Sequence, residues 1–226
     1  TNIVNILALE RGEKVNVMMH TKDVESEEHY LFFSTFLGTV KRMPLSALRN
    51  IRTSGIRALN LDEGDELMDV RLTGGSDRIL MVTHEGMAVC FEESDVRSMG
   101  RQAVGVRGIR LREGDFVVGA VLASEGGDLL TVTENGYGKR TDISEYSVQN
   151  RGGQGLKNYN ITEKTGKVCG AKLVHGDEDL MLVSDDGTII RMATAAVSRF
   201  SRVTQGVRLM RPAEGARVLS LALAEK

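Results

Sequence analysis

Apolar residues occur along the chain in short runs of strand length, and turns that contain glycine separate these runs. Leu180–Ser184 is one such run, the turn Asp185–Gly187 follows it, and the apolar pattern resumes at Thr188. Glycine readily adopts the positive φ that a short turn requires, so this arrangement predicts a β-hairpin. Because no long segment sustains a 3.6-residue period, the pattern predicts an all-β protein.

The same pattern returns about every fifty residues along the chain. Gly55, Gly105, Gly155 and Gly206 are separated by 50, 50 and 51 residues. A second series of glycines, in the predicted hairpin turns, keeps the same register and consists of Gly38, Gly86, Gly136 and Gly187. A fixed period of this length indicates repeated supersecondary units, each of which buries its apolar face against its neighbours.

The repeats divide the chain into units 29–77, 78–128, 129–179 and 180–226, and residues 1–28 match only the second half of a unit. That half-unit is inferred from the likeness of residues 6–13 to residues 58–65, and it predicts a chain that begins within a repeat. Each unit reads as strand, tight turn, strand, basic loop, strand, acidic turn and strand. Residues 1–226 are thus expected to form a single β-pinwheel fragment, propeller-like, with about four blades and a partial N-terminal blade. A solenoid of stacked β units is the alternative.

Charge is distributed unevenly over the repeat. The chain has 29 basic and 31 acidic residues, a formal net charge of −2 that by itself argues against a nucleic-acid partner. Yet windows 29–61, 96–112, 146–162 and 187–213 contain no Asp or Glu and hold 17 of the 29 basic residues. All four windows share one phase of the repeat, so they predict a basic belt that binds phosphates without reading base sequence. Alternatively, these arginines are solvated or pair with acids of a neighbouring repeat.

Four segments, Gly38–Ser46, Met99–Ile109, Thr133–Thr141 and Thr204–Met210, resemble the C-terminal domain of DNA gyrase A, with the equivalent domain of topoisomerase IV as a close relative. The resemblance implies a six-bladed β-pinwheel that binds, bends and wraps double-stranded DNA around a basic rim, and so supports ATP-dependent negative supercoiling by the whole enzyme. The residues expected to bind DNA are Lys41, Arg42, Arg49, Arg52, Arg97, Arg101, Arg107, Lys139, Arg140, Arg151, Lys157, Arg191, Arg199, Arg202 and Arg208.

The family also carries a glycine-rich box with several basic residues in its first blade. The nearest match is Gln149–Gly155, where Asn150 and Gln154 replace two basic residues. This match lies in the third full unit, so it is interpreted as a repeat-equivalent loop, and the box itself is expected in a preceding blade. The fragment is therefore expected to supply the curved basic track, and the wrap to need that blade.

No catalytic, metal or cofactor site is predicted within the chain. Two glycine-rich loops, Gly100–Gly108 and Arg151–Gly155, could be imagined to cradle a phosphate, but neither ends in the Gly-Lys-Ser/Thr of a P-loop. ATP and Mg²⁺ are therefore expected to belong to other parts of the enzyme. The resemblance places the DNA-cleaving tyrosine in an N-terminal region, so none of the chain's tyrosines inherits that role. Cys90 and Cys169 are expected to be free thiols of a cytoplasmic protein.

The resemblance further implies two partners, the rest of gyrase A and gyrase B, and no membrane association is expected. A topoisomerase IV-type domain and a propeller that serves as a protein-interaction platform are the alternative functions.

Overall fold

The structure is a computed structural model that describes residues 12–21, 26–52 and 55–224. The likeness between residues 6–13 and 58–65 falls largely outside the described residues. In the described part of the chain the strands, in order, are β1 Tyr30–Thr35, β2 Thr39–Pro44, β3 Leu67–Thr73, β4 Arg78–Thr83, β5 Met87–Glu92, β6 Val106–Arg107, β7 Val117–Leu122, β8 Asp128–Thr133, β9 Tyr137–Asp142, β10 Leu156–Lys157, β11 Val168–Val174, β12 Asp179–Ser184, β13 Ile189–Ala193, β14 Val207–Arg208 and β15 Val218–Ala224.

The regular elements among the described residues are strands and short 3₁₀ turns, which confirms the all-β prediction. The 3₁₀ turns are Leu45–Leu48, Glu93–Asp95, Ala123–Glu125, Ile143–Glu145 and Thr194–Ala196. The predicted hairpin turns also form: β12 pairs with β13 in an antiparallel register that aligns Val183 with Ile189. Gly187, in the turn between these strands, has a φ of +85°, so its backbone adopts the conformation that favours glycine.

The strands form four antiparallel sheets, and each four-stranded sheet takes one edge strand from the following repeat. The strand orders are β3-β1-β2-β6, β10-β5-β4-β7, β11-β8-β9-β14 and β13-β12-β15. The two-residue strands β6, β10 and β14 therefore leave their own repeats and pair with the preceding sheet. The sequence predicts four strands in each unit but does not predict this exchange.

Successive sheets pack face to face, so the strands are apolar on both sides. Phe32 and Val40 of the first sheet meet Met81 and Phe91 of the second in one buried cluster. Similar clusters join the second sheet to the third and the third to the fourth. Strands β3, β7, β11 and β15 contact one another in that order and form the inner edge of the stack. The opposite edge, which carries β6, β10 and β14, is the outer rim.

The inner strands approach closely at positions without a side chain. A Cβ built at Gly119 of β7 would lie 2.8 Å from the carbonyl oxygen of Ala171, and one at Gly170 of β11 would lie 2.1 Å from Leu221. Glycine at these positions lets the successive inner strands come together. The inner edge is therefore compact, and the long basic loops lie at the rim.

Candidate nucleic-acid interface

Each two-residue strand at the rim presents one basic side chain to solvent. The second residues of β6, β10 and β14 are Arg107, Lys157 and Arg208, and all three are exposed. Each strand alternates a half-buried apolar residue with an exposed basic one, because successive side chains of a strand point to opposite sides. Arg57 stands at the same phase of the first full unit and is also exposed. One basic residue of each repeat thus lies at an equivalent position.

A second basic residue, contributed by the next repeat, lies beside three of these four positions. Arg151 donates from Nη1 to the carbonyl oxygen of Arg107 at 3.1 Å and from Nε to that of Asp95 at 2.8 Å. Arg202 donates from Nη1 to the carbonyl oxygen of Lys157 at 3.0 Å. Arg101 is the equivalent residue one repeat earlier, and it lines a shallow depression together with Arg57.

We call these residues the rim pairs: Arg57 with Arg101, Arg107 with Arg151, and Lys157 with Arg202. In the two pairs with a direct hydrogen bond, the backbone carbonyl orients the guanidinium of the second member. A guanidinium has five N–H donors, so donors remain for a phosphate oxygen. Because the pairs recur once per repeat along one edge, they form a basic track that follows the curvature of the rim.

Arg208 completes this track beyond the third rim pair. Its guanidinium carbon lies 4.8 Å from the centre of the Tyr137 ring, and its Nη2 donates to the Tyr137 hydroxyl at 2.6 Å. Stacking on an aromatic face holds a guanidinium without neutralising its charge. Arg208 therefore retains a positive charge at the rim in a defined orientation.

Two of the lysines expected to bind DNA lie inside the protein. Lys41 and Lys139 are both 0% exposed. Lys41 Nζ donates to the carbonyl oxygens of Ala58, Arg101 and Ala103 at 2.7, 2.7 and 3.1 Å. Burial lowers its pKa. A lysine enclosed in this way does not reach a phosphate at the surface, so the prediction that Lys41 and Lys139 contact DNA is corrected.

The environment of Lys139 repeats that of Lys41. Its Nζ donates to the carbonyl oxygens of Asn158 at 2.9 Å and Ser201 at 2.8 Å, and also to that of Arg202. Burial lowers the pKa of Lys139 to about 7, Glu145 opposes this change, and Arg202 adds to it. The oxygen acceptors around Nζ favour the charged form and act against burial.

Several other predicted contacts are paired with acids. Arg140 and Arg199 share the buried carboxylate of Asp128, at 3.3 Å from Arg140 Nη1 and 2.8 Å from Arg199 Nη2. On the surface, Arg191 pairs with Asp179 at 2.6 Å. Arg49 likewise pairs with Glu27, at 2.9 Å. Pairing compensates these charges, so the four arginines contribute less to an attractive field than the rim pairs.

Three other residues that were predicted to contact DNA differ in how far they are exposed to solvent. Arg42 is partly buried and stacks over the Tyr30 ring at 4.7 Å. Arg52 and Arg97 are exposed in the basic loops.

Sequence reasoning did not select Arg57 as a DNA contact, although it recognised Arg57 as one of the basic residues in the acid-free windows. The repeat phase provides the signal that would have found it, because Arg57 precedes Arg107 by 50 residues. The pairing of basic residues across repeats has no such signal, since it arises from the strand exchange.

The described residues contain no group of three His, Cys, Asp or Glu side chains that could hold a metal ion. Tyr137 of β9 and the loop residues Tyr146 and Tyr159 are buried. Cys90 and Cys169 are both free thiols. Across the described ranges, no helix is long and apolar enough to cross a membrane.

The family profile described as "DNA gyrase C-terminal domain, beta-propeller" matches residues 29–73, 77–124, 127–175 and 178–225. The chain is 49% identical to the DNA gyrase A protein of Clostridium acetobutylicum over 226 residues, which are 100% of this chain and 27% of that protein. It is 48% identical to the DNA gyrase A protein of Staphylococcus epidermidis over 97% of this chain and 25% of that protein. The chain thus spans about a quarter of the length of these curated relatives.

Solved structures of similar fold lead to the same family. A crystal structure of the C-terminal domain of DNA topoisomerase IV superposes with a TM-score of 0.91 at 26% identity, covering 100% of this chain and 70% of that one. A structure of the DNA gyrase A C-terminal domain superposes with a TM-score of 0.85 at 27% identity, covering 99% of this chain and 74% of that one.

Proposed function

Because the chain belongs to the DNA gyrase C-terminal domain family, we propose that its outer rim binds and bends double-stranded DNA without sequence preference. The observation that carries this proposal is the recurrence of the rim pairs, one pair at each junction between repeats. Lys and Arg side chains bind phosphates by charge and release counterions, which needs no contact with base edges. Bending a short duplex costs several kcal/mol, and contacts spread along an arc offset that cost.

The proposed contacts are the three rim pairs and Arg208, with Arg52 and Arg97 as further exposed charges of the basic loops. Lys41, Lys139 and the acid-paired arginines are not among them. The windows that carry the rim pairs contain no Asp or Glu, so the overall net charge of −2 does not prevent a locally positive track. One carboxylate does reach the third rim pair, because Glu145 Oε2 accepts a hydrogen bond from the backbone N–H of Arg202 at 3.0 Å.

Within a whole enzyme, we propose that the domain supports ATP-dependent negative supercoiling as a non-catalytic module, and that its partners are the remainder of gyrase A and gyrase B. Identities of 49% and 48% to gyrase A proteins over 100% and 97% of the chain support a gyrase-type role. The two solved structures do not separate the roles, since the topoisomerase IV and gyrase A domains are 26% and 27% identical to the chain. The ATP and Mg²⁺ chemistry is assigned to other parts of that enzyme.

A charge-matched pair of variants tests the DNA proposal. Arg107→Gln with Lys157→Gln removes two exposed rim charges, whereas Arg191→Gln with Arg217→Gln removes two exposed charges that pair with acids elsewhere. At low salt the rim variant is expected to bind a mixed-sequence duplex at least about tenfold more weakly than the control variant.

The loss is expected to be the same on duplexes of unrelated sequence, because the contacts are to phosphates. If the rim and control variants lose affinity equally, the track is not the binding surface. If the unaltered chain does not bind duplex DNA at low salt, the DNA function is wrong for these blades, and a protein-interaction role becomes the better proposal.

A further inference from the structure

The two buried lysines lie directly beneath two of the three rim pairs. Lys41 Nζ bonds the carbonyl oxygen of Ala58, the residue after Arg57, and also the carbonyl oxygen of Arg101. A single ammonium group therefore bridges the backbone next to Arg57 and the backbone of Arg101, which come from different repeats. Its third acceptor, Ala103, belongs to the same loop as Arg101.

Lys139 makes the equivalent bridge two repeats later. It bonds the carbonyl oxygen of Asn158, the residue after Lys157, and that of Arg202. The Thr204 hydroxyl, at 3.3 Å, is a further partner in the second loop. The Tyr159 ring, whose centre is 5.0 Å from Nζ, covers the ammonium. Six backbone acceptors thus surround the two lysines, three each.

The junction between them is built differently and serves as an internal comparison. Val89 occupies the position equivalent to Lys41 and Lys139, 48 and 50 residues away, and it is buried in an apolar cluster. The carbonyl oxygen of Gly108, which corresponds to that of Ala58 and Asn158, there accepts a hydrogen bond from the backbone N–H of Gly152 at 2.6 Å. A backbone amide thus satisfies at this junction the carbonyl that an ammonium satisfies at the other two.

We propose that Lys41 and Lys139 are positioning residues for DNA binding, which fix the two loops of a rim pair relative to each other without touching DNA. This inference rests on the proposed function. Each side chain gives up hydration and enters the interior, a cost that its charge-assisted bonds to carbonyl groups offset. The result is a pair of basic residues whose backbones are ordered before a duplex arrives, so less ordering is required on binding.

The test compares a positioning variant with a contact variant at the same junction. Lys139→Met removes the buried ammonium, Lys157→Gln removes an exposed rim charge, and Lys167→Met is a control at an exposed lysine that pairs with Glu85 beside the start of β11. Two properties are measured for each variant: amide hydrogen exchange in the absence of DNA, and affinity for a mixed-sequence duplex at low salt.

In Lys139→Met, exchange is expected to accelerate about tenfold or more at residues 157–160 and 201–204, and to stay unchanged in β8. The Asn160 amide, which donates to the carbonyl oxygen of Thr204 at 3.1 Å, is the most direct reporter. Affinity for DNA is expected to fall about tenfold. Lys157→Gln is expected to weaken binding while exchange at residues 201–204 stays unchanged, because Lys157 Nζ bonds the Asn160 side chain of its own loop, at 3.1 Å. Lys167→Met is expected to change neither.

Unchanged exchange in Lys139→Met would overturn the inference, because the lysine would then not hold the loops. Faster exchange with unchanged affinity would also overturn it, provided that Lys157→Gln weakens binding, and the DNA function would stand. If neither variant affects affinity, the proposed function fails together with the inference.

A second variant guards against a fold that does not tolerate Lys139→Met. Lys139→Val with Val203→Gly copies the middle junction, since Val203 corresponds to Gly152 in the repeat. Its backbone N–H at position 203 can then donate to the carbonyl oxygen of Asn158. If the double variant shows slower exchange and tighter DNA binding than Lys139→Val alone, the positioning role is supported. If neither the exchange rate nor the affinity recovers in the double variant, the positioning role is contradicted.

Discussion

A substitution at Gly155 tests the strand exchange directly, because this residue precedes the exchanged strand β10. It has a φ of +76°, and a Cβ built on it would lie 2.2 Å from the carbonyl oxygen of Ala88 in β5. Gly55 holds the equivalent position in the first full unit with nearly the same φ of +78°, and no described atom lies within 4 Å of a Cβ built there. The two glycines therefore differ in steric contact and agree in backbone conformation.

We expect Gly155→Ala to destabilise the fold considerably more than Gly55→Ala. The positive φ costs an alanine about 1 kcal/mol in either variant. At Gly155 the overlap also displaces β10, which weakens its backbone pairing with Ala88 and Met87 and the partial burial of Leu156. At roughly 1 kcal/mol per hydrogen bond and a similar amount for the apolar contact, the additional loss is about 2 to 3 kcal/mol.

Urea denaturation followed by far-ultraviolet circular dichroism measures this difference. The free energy of unfolding of Gly155→Ala should fall below that of Gly55→Ala by about 2 to 3 kcal/mol, with a similar m-value, since the surface exposed on unfolding is nearly unchanged. Equal free energies in the two variants, within about 0.5 kcal/mol, would refute the close approach of β10 to β5.

Two further predictions concern carboxylates. Asp128→Asn leaves Arg140 and Arg199 without their shared acid, and it should lower the free energy of unfolding by about 3 kcal/mol in urea denaturation; an effect near zero would contradict the buried ion pair. Burial acts to raise the pKa of Glu178, but hydrogen bonds from backbone amides and the Thr194 hydroxyl lower it to about 2. A carboxylate with a lowered pKa stabilises the fold above the unfolded value of 4.5, and this contribution is lost as pH falls towards 2. The stability difference between the unaltered chain and Glu178→Gln should therefore shrink in acid denaturation over that range, and a constant difference would count against the lowered pKa.

Much of the fold was predictable from the sequence because it depends on local chemistry repeated at a fixed spacing. The turn glycines and the apolar runs each specify a hairpin within about fifteen residues, and their recurrence every fifty residues indicates a repeated sheet. The exchange of β6, β10 and β14 was not predictable in this way. A two-residue strand has too little pattern to show whether it pairs within its own repeat or with the preceding sheet.

The site was predictable as a region but not residue by residue. The acid-free windows contain all members of the rim pairs, whereas the individual roles depend on contacts between distant parts of the chain. Lys139 bonds carbonyl groups 62 and 63 residues away, and Arg199 pairs with Asp128 across 71 residues. Comparison of equivalent positions in the repeats gives a partial indication that the two lysines are buried. Val89 and Ile190 occupy the positions equivalent to Lys41 and Lys139, and an apolar residue at such a position indicates a side chain that faces inward.

The salt dependence of DNA binding tests the central claim most directly. If each of the seven basic residues, six in the rim pairs and Arg208, neutralises one phosphate, the plot of log K against log salt concentration should have a slope of about −6. Removing two of these charges with Arg107→Gln and Lys157→Gln should make the slope shallower by about 2, while Arg191→Gln with Arg217→Gln leaves it unchanged. A slope near zero, or one that the rim variant leaves unaltered, would contradict binding of DNA by the basic rim.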